Sequence, residues 1–284
     1  MLTYADDAVL FTYGSNVQTI AANLTKGLSN VHGWLKQSCL MLNPKKTVCM
    51  MFSKKNIKQY RSFVFLDGEE LELVTHFKYL GVILDSNLTF KKHIKMVSNT
   101  IKFGLQNFKQ IRSSITTEAA KSYLHCMIFS HIEYCLTTWS FAGTTALKPI
   151  EQLYKKAIRV RDKKPQSFHI CILIDKYKFL NFENLKIFKN TCLVYRVLHG
   201  LAPPPLNDFV KIRNCETSTR STSRGDCEVQ FKKCTFSQNV LSIKGSSSWN
   251  ILPMTIRECT TYVTFKRQLR ELEGRSIFYK QVNM

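Results

Sequence analysis

The sequence has few acidic residues and no hydrophobic run long enough to cross a bilayer. Asp and Glu number 20 against 41 Lys and Arg, which leaves a formal net charge of +21. No segment reaches the roughly 18 consecutive apolar residues that a membrane span needs. The first ten residues have no basic stretch and so do not read as a secretory signal. We therefore expect an intracellular protein, in the nucleus or the cytoplasm, that has no membrane as a partner.

Paired cysteine spacings are absent as well. None of the ten cysteines forms a Cys-x-x-Cys pair, and no histidine follows one at the spacing of a zinc knuckle. Reduced cysteines that pack as small apolar residues are typical of intracellular proteins. The alternative is that Cys215, Cys227 and Cys234 are what remains of a metal site.

The basic excess predicts a polyanionic partner. Lys and Arg side chains that neutralise phosphates release counterions, and this release drives binding to nucleic acid. An anionic membrane surface is the competing partner, and a merely soluble basic protein is the third interpretation. The lack of a membrane span favours nucleic acid. With 44% hydrophobic and 12% aromatic residues, the chain also has the composition of a folded protein.

Hydrophobic periodicity divides the chain into a strand-rich beginning and a helical remainder. The predicted strands are short and lie within residues 2–13, 47–52, 63–74 and 77–84. The predicted helices cover about 17–38, 90–111, 117–139, 145–160, 182–198 and 262–273. The fold class is therefore predicted to be α+β, with a small antiparallel sheet region before a mostly α-helical region.

Two adjacent aspartates, Asp6 and Asp7, lie at the bend of the first predicted hairpin, between short apolar runs. Phosphoryl transfer by two metal ions needs carboxylates from separate strands, and adjacent aspartates on one turn supply part of that set. An Ala-Asp-Asp tripeptide taken alone is more often a solvated turn. The motifs that follow it decide between these interpretations.

Those motifs follow the aspartates in a fixed order. They are Leu-Asn-Pro-Lys-Lys-Thr at 42–47, Tyr-Leu-Gly-Val at 79–82, Leu-His-Gly-Leu-Ala-Pro at 198–203 and Lys-Gly-Ser-Ser-Ser-Trp-Asn at 244–250. With the Tyr-Ala-Asp-Asp tetrad at 4–7, this order resembles the reverse transcriptase of non-LTR (LINE-type) retrotransposons. The resemblance covers nearly the whole chain.

The resemblance implies an RNA-directed DNA polymerase that joins nucleotides by two-metal catalysis, with an RNA template and a DNA primer as partners. It implies Mg²⁺ as the cofactor, with Mn²⁺ as an alternative. Asp6 would be the principal metal ligand, Asp7 its neighbour, and Tyr4 would lie near the primer terminus. Lys46, or alternatively Lys45, would lie near the incoming nucleotide, where a cation can neutralise or protonate the leaving pyrophosphate. A solvated turn is the other interpretation of the two lysines.

The same resemblance assigns Tyr79 and Gly81 to the strand that grips the primer. Gly81 would let a backbone approach closely, although a plain strand glycine is the other interpretation. The implied domains are a palm remnant over 1–85, a helical thumb over 86–162 and a helical C-terminal region over 163–284, with a polar loop near 213–225.

Lysines recur on the first long helix after residue 86, on the face opposite its apolar stripe. They are spaced by four and seven residues: Lys91, Lys95, Lys102 and Lys109. A basic ridge of this kind can follow a phosphate backbone, and a solvated lysine face is the other interpretation. Lysines in the first turn of a helix oppose its dipole, which favours a role beyond helix stability. In the family this helix would hold the RNA–DNA hybrid.

The palm of the family begins before the Tyr-x-Asp-Asp box, so we expect the fingers and the first catalytic aspartate to be missing from this chain. Asp67 lies in a predicted Asp-Gly turn and Asp85 in a predicted strand-to-helix turn, so neither is expected to replace it. The chain is therefore predicted to be inactive alone. The alternatives are a non-catalytic basic nucleic-acid-binding protein and a non-functional retrotransposon relic.

Overall fold

A computed structural model describes residues 1–53, 64–213, 224–229 and 240–274. The chain forms two compact units, Met1–Thr89 and Phe90–Met284. All strands within the described residues lie in the first unit, where they form three two-stranded antiparallel sheets. The second unit is built from helices. The predicted α+β class is thus confirmed.

Each sheet of the first unit is a tight hairpin. Strands β1 and β2 are Leu2–Tyr4 and Asp7–Val9, β3 and β4 are Phe65–Leu66 and Glu69–Glu70, and β5 and β6 are His76–Tyr79 and Val82–Asp85. Asp67 and Gly68 turn the chain between β3 and β4 with φ of 51° and 87°. Both φ angles are positive, as two-residue hairpin turns with a matching twist require.

The single strand predicted over residues 77–84 is wrong, because the chain reverses within it. Leu80 and Gly81 have φ of 43° and 82°, so they form the turn between β5 and β6. The strand predicted over 47–52 is also wrong. There the described residues make only an isolated bridge, between Cys49 and Leu73.

Helix α1, Val17–Gln37, is close to its predicted bounds. The Asn16 side chain accepts hydrogen bonds from the backbone amides of Gln18 and Thr19, which satisfies donors that a helix start leaves unpaired. The helix buries Ala21 and Leu28 in the core of this unit. That core also contains Val64, Leu66 and Leu71.

The second unit begins with α2, and its longer helices match the predictions closely. The helices are α2 (Lys91–Ile111), α3 (Thr117–Leu124), α4 (Ser130–Glu133), α5 (Leu136–Trp139), α6 (Thr144–Arg161), α7 (Ile170–Tyr177), α8 (Phe182–Leu198), α9 (Ser246–Ile251), α10 (Met254–Arg257) and α11 (Tyr262–Gly274). Among the described helices, none has the length and apolar character needed to cross a membrane.

The continuous helix predicted over 117–139 is wrong. Its middle is a π-helical segment, His125–Phe129, and it breaks again where Tyr134 is extended and Cys135 has a φ of 48°. The break frees the carbonyl of Tyr134, which accepts a hydrogen bond from the indole of Trp139 at 2.9 Å. A side-chain donor thus replaces the helical partner of that carbonyl.

Helix α7 was not predicted. Its first residue follows His169, which makes no capping hydrogen bond, and the helix is only eight residues long. It therefore lacks both the start signal and the length on which helix prediction depends. The polar loop predicted near 213–225 lies mostly outside the described residues.

Candidate functional site

The first hairpin presents the two predicted metal ligands at its turn. Tyr4 pairs with Asp7 across the hairpin, and Ala5 and Asp6 form the turn between them. Ala5 has a φ of 51°, in the left-handed region that costs a residue with a Cβ about 1–2 kcal/mol. Asp6 and Asp7 are both exposed, and Tyr4 is 67% exposed. Their side chains are therefore accessible to a metal ion or a nucleic acid.

Leu10, just after the first hairpin, packs against the rest of the unit. This residue packs against the core of the first unit and fills the space beside Gly27 on α1. A Cβ atom at Gly27 would meet Leu10 Cδ2 at 3.0 Å. The glycine thus permits the close approach that fixes where the hairpin leaves the core.

The other two aspartates of this unit have partners within the protein. Asp67 pairs with Nδ1 of His32 at 3.1 Å and with Nζ of Lys36 at 3.4 Å. Asp85 is buried and accepts hydrogen bonds from the backbone amides of Asn87 at 3.2 Å and Thr89 at 2.9 Å.

Within the residues that the structure describes, no three His, Cys, Asp or Glu side chains group closely enough to hold a metal ion. The oxygen ligands of Asp6 and Asp7 suit Mg²⁺ chemically. Two adjacent carboxylates supply only part of a two-metal site. The fit of the described residues to the metal is therefore partial.

Lys45 and Lys46 lie on a capped turn. Residues Pro44–Lys46 form one turn of 3₁₀ helix, whose start is capped by the side chain of Asn43. Asn43 Oδ1 accepts from the backbone amide of Lys45 at 3.1 Å, and Thr47 Oγ1 donates to the carbonyl of Asn43 at 2.9 Å. Both lysine side chains are exposed. None of the ion pairs within the described ranges joins them to the hairpin aspartates.

Tyr79 and Gly81 lie together at the end of the third hairpin. Tyr79 is the last residue of β5 and pairs with Val82. Gly81 occupies a turn position with a φ of 82°, which glycine adopts without steric cost. The local backbone therefore explains this glycine without a ligand, and its predicted contact with nucleic acid stays a prediction.

Helix α2 has a buried apolar face and a row of exposed lysines. The four ridge lysines are exposed: Lys91, Lys95, Lys102 and Lys109. The apolar face is buried in the helical unit, with Ile101 and Phe108 fully inaccessible. At 3.6 residues per turn the ridge lies beside this buried face and not opposite to it, so the predicted opposition is wrong. Phe90, the residue before the helix, makes no side-chain cap, and the first turn of the helix contains no acidic residue. The start of α2 thus lacks the groups that ordinarily offset its dipole.

His93 lies on the buried face of α2, where it meets the ring of Trp139 edge-on at 5.5 Å. Burial lowers the pKa of His93 below its ordinary 6.5. The imidazole is therefore neutral at pH 7 and serves packing. The positive charge of this helix belongs to its exposed face.

The sequence of this chain is similar to those of several known polymerases. The chain is 30% identical over 164 residues to a probable RNA-directed DNA polymerase from transposon BS of Drosophila melanogaster, an alignment that covers 56% of this chain and 18% of that protein. It is 24% identical over 160 residues to the RNA-directed DNA polymerase from mobile element jockey of Drosophila funebris, covering 55% of this chain and 17% of that protein. Its homologues are RNA-directed DNA polymerases of non-LTR retrotransposons.

A third polymerase relative is the retrovirus-related Pol polyprotein from the type-1 retrotransposable element R1 2 of Nasonia vitripennis. The identity is 21% over 143 residues, which cover 48% of this chain and 35% of that protein. The chain spans less than a fifth of the BS and jockey polymerases that it matches. No family model matches the sequence. No solved structure matches it either. These relatives confirm the family resemblance found in the sequence motifs over about half of the chain, and not over nearly all of it as the motifs suggested.

Proposed function

We propose that the chain is part of an RNA-directed DNA polymerase, in which its first hairpin contributes Asp6 and Asp7 to a two-metal site for nucleotidyl transfer. The observation that carries this proposal is the hairpin itself, which exposes both carboxylates at adjacent positions around one turn. The polymerase homologues support the proposal. The substrates would be an RNA template, a DNA primer and nucleoside triphosphates.

Each residue of the site has a separate task in this proposal. Mg²⁺, or Mn²⁺, would supply activation of the attacking oxygen and charge neutralisation at the leaving pyrophosphate. Asp6 and Asp7 hold part of the metal set, and Tyr4 lies at the primer terminus. Lys46, with Lys45 as the alternative, neutralises the pyrophosphate or donates a proton to it. No further carboxylate of the described residues groups with these two to complete the set.

Because the described carboxylate set is partial, the purified chain is expected not to extend a DNA primer on an RNA template. The measurement is a gel assay with an end-labelled primer, run separately with Mg²⁺ and with Mn²⁺. Extension that disappears in Asp6→Ala would contradict the incomplete site while supporting the role of Asp6. Extension that Asp6→Ala leaves unchanged would contradict that role.

A second candidate function is a non-catalytic basic nucleic-acid-binding protein. The exposed lysine face of α2 favours it, because contact with phosphates does not need a complete metal site. Binding of an RNA–DNA hybrid at low salt, without polymerase activity, would support this candidate. No measurable binding at low salt would support the non-functional relic. We further propose that residues 1–85 act as palm, 86–162 as thumb and 163–284 as a C-terminal region.

A further inference from the structure

A cavity in the helical unit is lined mainly by basic side chains and has a volume of about 360 Å³. The described residues that line the cavity include five cationic side chains and one carboxylate, that of Glu118. The cations are Lys121, Arg161, Lys176, Lys178 and Arg270. They come from α3, α6, α11 and the end of α7. Because like charges repel, a bound anion would offset the repulsion among these cations.

Arg161 is the buried member of this group. It is 5% exposed, and its guanidinium carbon lies 3.7 Å from the centre of the Tyr177 ring and 5.7 Å from that of Phe179. Its Nε is buried and has no hydrogen-bond partner among the described residues. Buried donors are nearly always bonded. A guanidinium stacked on rings keeps its in-plane donors available, and their fork geometry matches a phosphate.

The carboxylate that follows Arg161 in the sequence is paired with another cation. The Lys176 Nζ lies 4.9 Å from the centre of the same Tyr177 ring, so one ring adjoins two cations. Asp162 binds Lys176 at 3.1 Å and accepts a hydrogen bond from the Tyr177 hydroxyl. Asp162 therefore offsets Lys176 and fixes the ring. No ion pair in the described part of the chain includes Arg161.

The pKa of the His125 imidazole is influenced by the same group of cations. Burial is the largest influence and lowers its pKa from 6.5, while the carboxylate of Glu133 opposes this. The cations Lys121, Arg270 and Arg161 lower the pKa further. Three helices thus direct positive charge at one ring. His125 is neutral at pH 7 and can accept or donate a hydrogen bond in the cavity that it lines.

We propose that this cavity binds a phosphate group, either a phosphodiester of a nucleic-acid backbone or the phosphate of a free nucleotide. Arg161 supplies the fork of donors, and Lys121, Lys178 and Arg270 surround it as exposed charges. The cavity volume of about 360 Å³ falls within the roughly 300–1,000 Å³ of small-ligand sites. The site stands independently of the aspartate hairpin, because every residue that forms it belongs to the helical unit.

The test compares two variants of the full chain that each remove three exposed charges. The cavity variant is Lys121→Gln with Lys178→Gln and Arg270→Gln. The control, Lys148→Gln with Lys156→Gln and Arg267→Gln, lies on the same unit and outside the cavity. Two probes are titrated by calorimetry or fluorescence anisotropy: inorganic pyrophosphate and a labelled single-stranded oligonucleotide. We expect the cavity variant to bind at least one probe about tenfold more weakly than the control.

The two probes distinguish the source of the phosphate. Weaker binding of the oligonucleotide identifies a backbone phosphodiester, and weaker binding of pyrophosphate alone identifies a free phosphate ligand. Arg161→Lys keeps the charge but removes the planar pair of guanidinium donors. It should therefore also weaken binding of the probe that the cavity variant binds less tightly. Circular dichroism confirms that this variant is folded. Equal affinities of the cavity and control variants for both probes would overturn the proposal.

Discussion

At the scale of single residues, a buried ion pair stabilises the C-terminal part of the helical unit. The guanidinium of Arg257 donates to Asp226 Oδ1 at 2.7 Å, and the two side chains are 4% and 7% exposed. Burial alone would raise the pKa of the Asp226 carboxyl. Hydrogen bonds from Arg257 and Arg224 outweigh burial and hold the pKa below its ordinary 3.8. The stabilisation is therefore present above about pH 4 and is lost as the pH falls through the folded-state pKa.

Asp226→Asn should lower the free energy of unfolding by about 3–5 kcal/mol at pH 7, because it leaves the Arg257 charge buried and uncompensated. Urea unfolding followed by circular dichroism measures this. The difference from wild type should shrink as the pH falls below about 4, because the unfolded-state carboxyl protonates there while the folded-state carboxyl, whose pKa is lower, protonates only at lower pH. Asp208→Asn is the matched control, since Asp208 is 85% exposed and should cost less than about 1 kcal/mol. Equal losses for the two variants would refute the role of the pair.

Single residues also show what sequence can and cannot reveal about a site. The hairpin that exposes Asp6 and Asp7 could be predicted because it is local and forms within a few residues. Asp226 and Arg257 are 31 positions apart. The cations around Arg161 come from several helices that only the folded chain brings together. No periodicity or short motif marks contacts of this kind.

At the scale of elements, the lysine face of α2 should account for a large part of the affinity for nucleic acid. Replacing Lys95, Lys102 and Lys109 by Gln should weaken binding to an RNA–DNA hybrid. It should also reduce the slope of log K against log salt by about 2–3, because each lost phosphate contact lowers it by about 0.9 in B-form DNA. Fluorescence anisotropy between 50 and 300 mM salt measures the slope. Lys148→Gln with Lys156→Gln and Arg267→Gln removes the same charge, and a similar loss there would argue against a specific ridge.

Elements differ in how far sequence predicts them. Helices α2 and α8 were predicted nearly to the residue, because each carries an apolar face over four or more turns. The break at Tyr134 and Cys135 and the short helix α7 were missed. The break is accompanied by a hydrogen bond from the Trp139 indole to the Tyr134 carbonyl, which no short motif marks. Helix α7 begins without a side-chain cap, so it lacks the usual start signal.

At the scale of the whole molecule, two compact units carry two kinds of chemistry. The unit Met1–Thr89 presents carboxylates suited to a divalent metal, and the unit Phe90–Met284 presents exposed lysines and a basic cavity suited to phosphates. Polymerase homologues match about half of the chain. A net charge of +21 suits a polyanionic partner for the chain as a whole. Metal binding by the hairpin would link these features to nucleotidyl transfer.

Paramagnetic broadening by Mn²⁺ tests whether the hairpin binds a metal ion. In NMR spectra of the isotopically labelled chain, substoichiometric Mn²⁺ should selectively broaden the backbone amide signals of Asp6 and Asp7. The signal of Asp67, an exposed aspartate already paired with His32 and Lys36, serves as the internal control. The selective broadening should disappear in Asp6→Asn with Asp7→Asn. Broadening that is equal at Asp67 and at the hairpin, or unchanged in the double variant, would rule out specific metal binding by Asp6 and Asp7.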